Sequence, residues 1–467
     1  MSGTAASVSA CLRAAGFGAP AVAEWLAAEP RDTADYDGDC RRYSQFWARS
    51  NDLFASLPHK HARNEAESAA AAAIFALARH HRERFLFAHS EAVYDRLTRG
   101  RSRFIRLKEL LFEAAVAVPG LTPTREQIGA QGDRHQRDKD GLEIDQGIFL
   151  SHMLACERAG RHLCHAMLLP RPETAELLAK LDTDGAVDLG AAMVERKGKA
   201  AFLTTKNPRF LNAEDQTTID AMEIAVDLAI LDPATEIAVL RGGVLDHPKY
   251  RGRRVFGSGI NLTQLYRGQI PFVWFLQRDM GFVHKFLRGV AQPEAVPDDV
   301  HGHGIEKPWI AALDGFAVGG HCQVLLTMDY VLAAHDAFMT LPARKEGIIP
   351  GLANLRLPRF TGDRIARQAI QYERKLMCDS ADGRLICDEV APADNMDDAL
   401  ARVIENLTSA GTVSITTNRR ALRIGEEPLD LFRSYCSAYA RDQAYCYFSP
   451  ALIANLERNW DAQNRKL

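Results

Sequence analysis

Along the first 195 residues, apolar positions recur at helical spacing. Glu65–Arg99 runs through the alanine-rich AAAAAIFALARHHRERFLFAH, and Ile144–Leu169 repeats apolar residues every three or four positions, so both predict helices with one buried face. Pro119, Pro123, Pro170 and Pro172 punctuate this region, and the polar, glycine-bracketed GAQGDRHQRDKDG of Gly129–Gly141 reads as an exposed loop. From Lys199 the texture changes. Short β-like runs (Ala201–Thr204, Glu236–Arg241, Trp309–Leu313, Tyr330–Ala334, Phe338–Leu341) surround a helical stretch over Glu214–Leu231, an alternation that predicts an α/β unit with crossover connections. After Pro358 helical patterns return over Asp363–Met377, Asp397–Leu407, Pro428–Arg441 and Ala451–Trp460. The pattern therefore predicts three regions: helical over 1–195, α/β over 196–360 and helical over 361–467.

Composition narrows the class. In 467 residues, 57 Lys and Arg face 60 Asp and Glu, for a net charge of -3, so nothing favours a polyanion and nucleic acid is excluded as a partner. Nine cysteines occur without a Cys-x-x-Cys pair, which suits a reducing compartment. The first residues lack a basic segment followed by an apolar one, and no apolar run reaches the ~18 residues of a membrane span. The expectation is a cytoplasmic enzyme without a membrane partner.

Two glycine-rich segments are candidates for chemistry. Arg251–Leu262, RGRRVFGSGINL, places a Gly-Ser-Gly turn after a basic cluster, but it lacks the third glycine of a dinucleotide fingerprint and alone reads as a surface turn. Pro308–Asp329, PWIAALDGFAVGGHCQVLLTMD, runs from a strand through Gly319-Gly320 into an apolar helix, whose first N–H groups have no partner within the helix. Such N–H groups stabilise a negative oxygen held nearby. Alone, the two glycines read as a close packing of helix on strand.

Taken together, the segments resemble the crotonase (enoyl-CoA hydratase/isomerase) superfamily from about Lys199 to at least Leu407. FGSGINL is similar to the family's F-x-A-G-A-D-L, PWIAALDGFAVGGHCQVLLTMDYVLAA to its P-x-I-A-x-x-x-G-x-A-x-G-G-G-x-E-L-x-x-x-C-D, and GIIPGLANLRLPRFTG to its G-x-x-P-G-x-G-x-x-x-x-L-P-R. The resemblance implies a ββα superhelix core, here carrying a helical N-terminal domain and a helical C-terminal trimerisation region. It also implies an acyl-coenzyme A thioester as substrate, and an oxyanion hole made by the backbone N–H groups of Ile260 and Gly320. Two such donors, each contributing roughly 3 kcal/mol, would lower the pKa of the thioester α-proton by about 4 units.

The departures from the family are equally informative. Gln323 and Ala343 stand where hydratases carry two glutamates, and neither side chain serves as a general acid or base near neutral pH. Glu346, nearby, belongs to the next turn. Together with the N-terminal extension, LNAEDQTTIDAMEIAVDLAILDP and RGGVLDHPKYRGRRVFGSGINLTQLYRGQIPFV are similar to a branch of cofactor-independent dioxygenases. That branch acts on (3,5-dihydroxyphenyl)acetyl-CoA and O2 in the supply of dihydroxyphenylglycine for glycopeptide antibiotics.

The resemblance implies that Glu214 receives a ring hydroxyl, that Arg278 and Gln323 lie at the ring's polar edge, and that Arg253 and Arg254 meet the coenzyme A phosphates. Leu262, Ala343 and Ile348 would form a dry pocket for O2. It implies no metal and no flavin, and a trimer or hexamer. Each residue also has a plainer role open to it: Glu214 as the cap of the following helix, the arginines as solvated side chains, Leu262 and Ile348 as ordinary core. The histidines of His59-Lys-His61, His80-His81 and His301-Gly-His303 have no partner at ligand spacing and read as scattered surface residues. His247 and His321 fall inside the site segments, where the sequence assigns them no role. The rival readings are a hydratase or isomerase with its base moved, and an acyl-CoA-binding homologue without activity.

Overall fold

The structure is a computed structural model that describes residues 2–302 and 304–465, so His303 lies outside the described residues. It has two compact units, one formed by 1–163, 267–273 and 436–448, the other by 164–266, 274–435 and 449–467. The helical stretch expected to run to residue 195 thus divides, and the helices Glu157–Leu168 (from Cys164) and Thr174–Asp184 belong with the second unit.

The first unit is helical. Its longest helix, Glu65–Leu97, starts at a capping box in which Asn64 accepts from Glu67 N at 2.9 Å and Glu67 accepts from Asn64 N at 2.8 Å. One face buries Ile74, Ala78, Phe85 and Val93, and Tyr43, Phe46 and Trp47 of helix Tyr36–Ala55 pack with Phe85 and His81 of that helix. Full burial of such side chains contributes about 1.5–3 kcal/mol each.

The second unit is built on a seven-stranded sheet in the order Ala186–Asp188, Ala192–Lys197, Ala200–Thr205, Ile237–Gly242, Trp309–Leu313, Tyr330–Ala334, Glu389–Ala391. Adjacent strands are antiparallel among the first three and parallel from Ala200–Thr205 onward. Trp309–Leu313 is buried at every position, as a parallel strand covered on both faces must be. A smaller sheet carries Phe316–Val318 and Phe338–Thr340 in parallel, with Leu376–Met377 antiparallel. Each of two successive chain segments therefore gives one strand to the large sheet, one to the small sheet, and then a short helix, Gly320–Leu325 in the first and Ala343–Glu346 in the second. This is the repeated ββα turn expected from the motifs.

Two elements differ from expectation for local reasons. The helix expected from Glu214 begins at Ile219, because Asp215 accepts from Thr217 N at 3.0 Å and forms a turn, while Glu214 is extended. The helix expected over 363–377 is Ala353–Tyr372, broken at Gly362, whose φ of 73° and ψ of 161° are not helical. Behind it, Glu427 receives Arg356 at 2.8 Å and Arg359 at 3.0 Å, a buried pairing that ties this helix to the helix Val413–Glu426.

Candidate active site

The two glycine-rich segments lie side by side. Gly257 and Ala317 form a parallel bridge, with Gly257 N donating to Phe316 O at 3.1 Å and Val318 N donating to Gly257 O at 3.0 Å. The same offset of 60 residues relates Ile260 to Gly320. Gly259 must be glycine for two reasons. Its φ is +79°, and a Cβ there would stand 2.8 Å from Val318 O and 3.2 Å from Gly320 N.

On its other side the Ile260 segment pairs with Glu214. Glu214 N donates to Gly259 O at 2.7 Å, and Asn261 N donates to Glu214 O at 2.8 Å, which leaves the Ile260 N–H directed away from Glu214. Gly320 opens its helix, so its N–H has no partner within the helix. Among the described residues neither N–H has a hydrogen-bond acceptor, and both residues are half-buried, so a ligand oxygen can reach them.

Beneath the pair lies a buried charged cluster. Arg278, 3% exposed, donates from Nε to Glu214 Oε2 at 2.7 Å, from Nη1 to Asp279 Oδ1 at 2.7 Å and to Gln323 Oε1 at 2.9 Å, and from Nη2 to Gly320 O at 2.7 Å. A Cβ at Gly320 would collide with Glu214 Oε2 and Arg278, so glycine is required there by packing, while the preceding Gly319 has the positive φ, +53°.

A match to the enoyl-CoA hydratase/isomerase family model covers residues 291–431. The chain is 45% identical over 419 residues to a (3,5-dihydroxyphenyl)acetyl-CoA 1,2-dioxygenase of Amycolatopsis orientalis, covering 90% of this chain and 95% of that protein. It belongs to the crotonase superfamily. A crotonyl-CoA hydratase of Syntrophomonas wolfei is 24% identical, covering 50% of this chain and 81% of its own. Among solved structures, an enoyl-CoA hydratase/isomerase from Xanthobacter autotrophicus Py2 superposes with a TM-score of 0.48 at 22% identity, covering 59% of this chain and 96% of that one.

Several features of this crotonase were not legible in its sequence. His321 is buried, and its Nδ1 accepts from Gly259 N at 3.0 Å, so the ring braces the turn that presents Ile260. That bond requires an unprotonated Nδ1, and burial holds the imidazole below its ordinary value, with Glu214 opposing and Arg278 reinforcing the shift. Asp279 also escaped sequence reading. Burial raises it, and Arg278 offsets only part of that rise, whereas for Glu214 burial is outweighed by the ion pair and hydrogen bond with Arg278, so it is held below the usual carboxylate range. Arg278 itself stays charged, since its carboxylate partners outweigh the cost of burial.

Ala343 is buried at the start of its one-turn helix, and its carbonyl accepts from Gly347 N at 2.8 Å and Ile348 N at 3.1 Å, so Ala343 and Ile348 close one turn. Leu262 is half-buried at the start of a separate helix, Leu262–Tyr266. Glu346, three residues after Ala343, is pushed up to about 7 by burial and by neighbouring Glu373. The two basic candidates diverge: Arg253 is exposed, 3.6 Å from Asp336, while Arg254 donates to Gly242 O at 3.2 Å and lines a separate cleft with Arg241 and Lys199. His247 is bonded only locally, accepting from Lys249 N at 3.3 Å. Among the described residues, no three His, Cys, Asp or Glu side chains are grouped to hold a metal, and no helix is long and apolar enough to cross a membrane.

Proposed function

We propose that this chain is a cofactor-independent dioxygenase that converts (3,5-dihydroxyphenyl)acetyl-CoA and O2 to (3,5-dihydroxyphenyl)glyoxylate and free coenzyme A. The observation that carries the reading is its 45% identity, over 90% of its length, to the A. orientalis enzyme of that name. The geometry supplies the chemistry. Loss of one α-proton gives an enolate whose oxygen receives the N–H groups of Ile260 and Gly320, and donors aimed at a developing charge contribute about 3–4 kcal/mol each. The enolate passes one electron to O2, and the resulting pair joins through a Cα–O bond. The outer peroxide oxygen then adds to the thioester carbonyl, the C–S bond breaks and the thiolate leaves. Loss of the second α-proton with cleavage of the O–O bond gives the keto acid, so both atoms of O2 end in one product.

Arg278 occupies Glu214 Oε2 and Gln323 Oε1, which leaves Glu214 Oε1 to accept from one ring hydroxyl and the Gln323 amide NH2 to donate to the other ring oxygen. Leu262, Ala343 and Ile348 form the apolar space for O2, which gains from a dry site. Arg253, exposed, meets a coenzyme A phosphate, and Arg254 contributes at longer range. No metal or flavin takes part. The enzyme works in the cytoplasm as a trimer or hexamer. Oxygen uptake with (3,5-dihydroxyphenyl)acetyl-CoA after exhaustive chelation tests the reading: one O2 consumed per coenzyme A released supports it. Hydration of crotonyl-CoA without oxygen uptake overturns it in favour of a hydratase.

A further inference from the structure

A cavity of about 510 Å3 opens within the first compact unit, and no step of the reaction above uses it. Its volume lies in the range of about 300–1,000 Å3 typical of small-molecule sites. The lining cations are Lys60, Arg63, Arg79, Lys139 and Arg441, five against the acids Glu83 and Asp140, in a chain whose net charge is -3. A concave surface with one sign of charge in excess focuses its field on a ligand of the other sign.

The arginines have partners: Arg63 pairs with Asp140 at 2.8 Å, Arg79 with Asp145 at 2.9 Å and Arg441 with Glu83 at 2.8 Å. The lysines differ. Lys60 Nζ donates to Lys139 O at 2.7 Å, Lys139 Nζ donates to Gly268 O at 2.5 Å, and among the described residues neither ammonium has a carboxylate within ion-pairing distance. Lys139 is only 4% exposed. An ammonium out of water with only a carbonyl beside it is costly unless an anion joins it. Burial accordingly pulls Lys139 below its ordinary value, opposed by Glu143, while Lys60 stands exposed at the cavity.

Beside Ser68 and His80, the rest of the lining is largely apolar. Ala72 and Ala76, on helix Glu65–Leu97, present only methyl groups on its floor, and the rings of Phe75, Tyr445 and Phe448 add flat surfaces. Flat apolar surfaces beside cations favour a planar ring that bears a negative group.

We propose that this cavity is a second ligand site, which binds a small organic anion carrying a flat ring, with the anion against Lys60 and Lys139 and the ring against the alanine floor. Aryl carboxylates and ring-bearing phosphates share that chemistry, and the test separates them. Calorimetric titration of the full-length protein uses 3,5-dihydroxybenzoate in one arm and adenosine 3′,5′-bisphosphate in the other. The proposal expects one arm to show a site whose affinity falls at least tenfold in Ala72→Glu, which puts a carboxylate into the floor from an exposed helix position, and likewise in Lys60→Ala. Oxygen uptake with the acyl-CoA should keep its kcat and KM in both variants, which separates this site from the active site and leaves the dioxygenase reading untouched if the proposal fails. Lys60→Ala removes an exposed side chain, so it remains informative if Ala72→Glu does not fold. Absence of binding in both arms, or affinities unchanged in the folded variants, overturns the proposal.

Discussion

Arg278 Nη2 donates to the main-chain carbonyl of Gly320 at 2.7 Å, so the residue whose N–H is proposed to complete the oxyanion hole is tethered by the guanidinium that also holds Glu214 and Gln323. A lysine offers one point charge and cannot satisfy these directions together. Arg278→Lys is expected to lower kcat by roughly 100-fold, the scale of a ~1 Å misplacement at a reacting centre. Single-turnover oxygen uptake measures it, and a variant within twofold of wild type would mean that the tether does not set the hole's geometry.

The proposed reaction gives Glu214 a part in ring recognition and none in enolate chemistry. Glu214→Gln should impair the dihydroxylated substrate more than phenylacetyl-CoA, because a buried acceptor lost opposite a hydroxyl costs about 1–3 kcal/mol. Comparing kcat/KM for the two thioesters checks this, and equal losses would assign Glu214 to structure alone.

His321→Phe keeps the buried ring and removes the Nδ1 acceptor, leaving Gly259 N–H unsatisfied at a cost of about 1–3 kcal/mol. Both the melting temperature and kcat should fall. If stability drops while the rate of α-proton exchange holds, the brace does not reach Ile260.

How far the sequence carried this site depended on the range of the interactions. The glycines of the candidate hole were legible from their turn and helix-start motifs, although the close approaches that exclude a Cβ at Gly259 and Gly320 come from Val318, Glu214 and Arg278, distant in the chain. By its local pattern Glu214 read as a helix start, and only the family resemblance made it a site candidate, since nothing local shows that Ile260 will pair with it across the fold. Asp279 and His321 owe their roles to partners distant in the chain or to a ring tautomer, and residue type alone encodes neither. The central strands read clearly as apolar runs, whereas Ala192–Lys197, AMVERK, carries charge on a half-exposed antiparallel strand and gave no such signal.

Glu346 predicts a pH effect on stability. Its carboxyl is held near 7 in the folded chain against 4.5 for the free group, so the fold binds that proton more tightly than the unfolded chain does, and the linked stability is lost as pH rises from about 4.5 through about 7. Glu346→Gln removes this loss. The melting temperature of the variant relative to wild type should therefore rise between pH 5 and pH 8, and a constant difference across that range would show that Glu346 titrates normally.

Ala343 tests the oxygen space. Ala343→Leu should preserve α-proton exchange, which needs the thioester and the two N–H groups, while oxygen uptake falls. Overpacking costs about 1–3 kcal/mol, so folding is checked first by thermal melting. Parallel loss of both activities, or retention of both, would remove Ala343 from the oxygen path.

In the proposed reaction an enolate held by Ile260 and Gly320 takes both atoms of one O2 molecule. Mass spectrometry of the product formed under 18O2 in ordinary water tests this. The mechanism predicts (3,5-dihydroxyphenyl)glyoxylate carrying two labelled oxygens, one at the keto carbon and one in the carboxylate, when the product is trapped before its ketone exchanges with solvent. A carboxylate oxygen drawn from water, or coenzyme A released without any label in the acid, would contradict it.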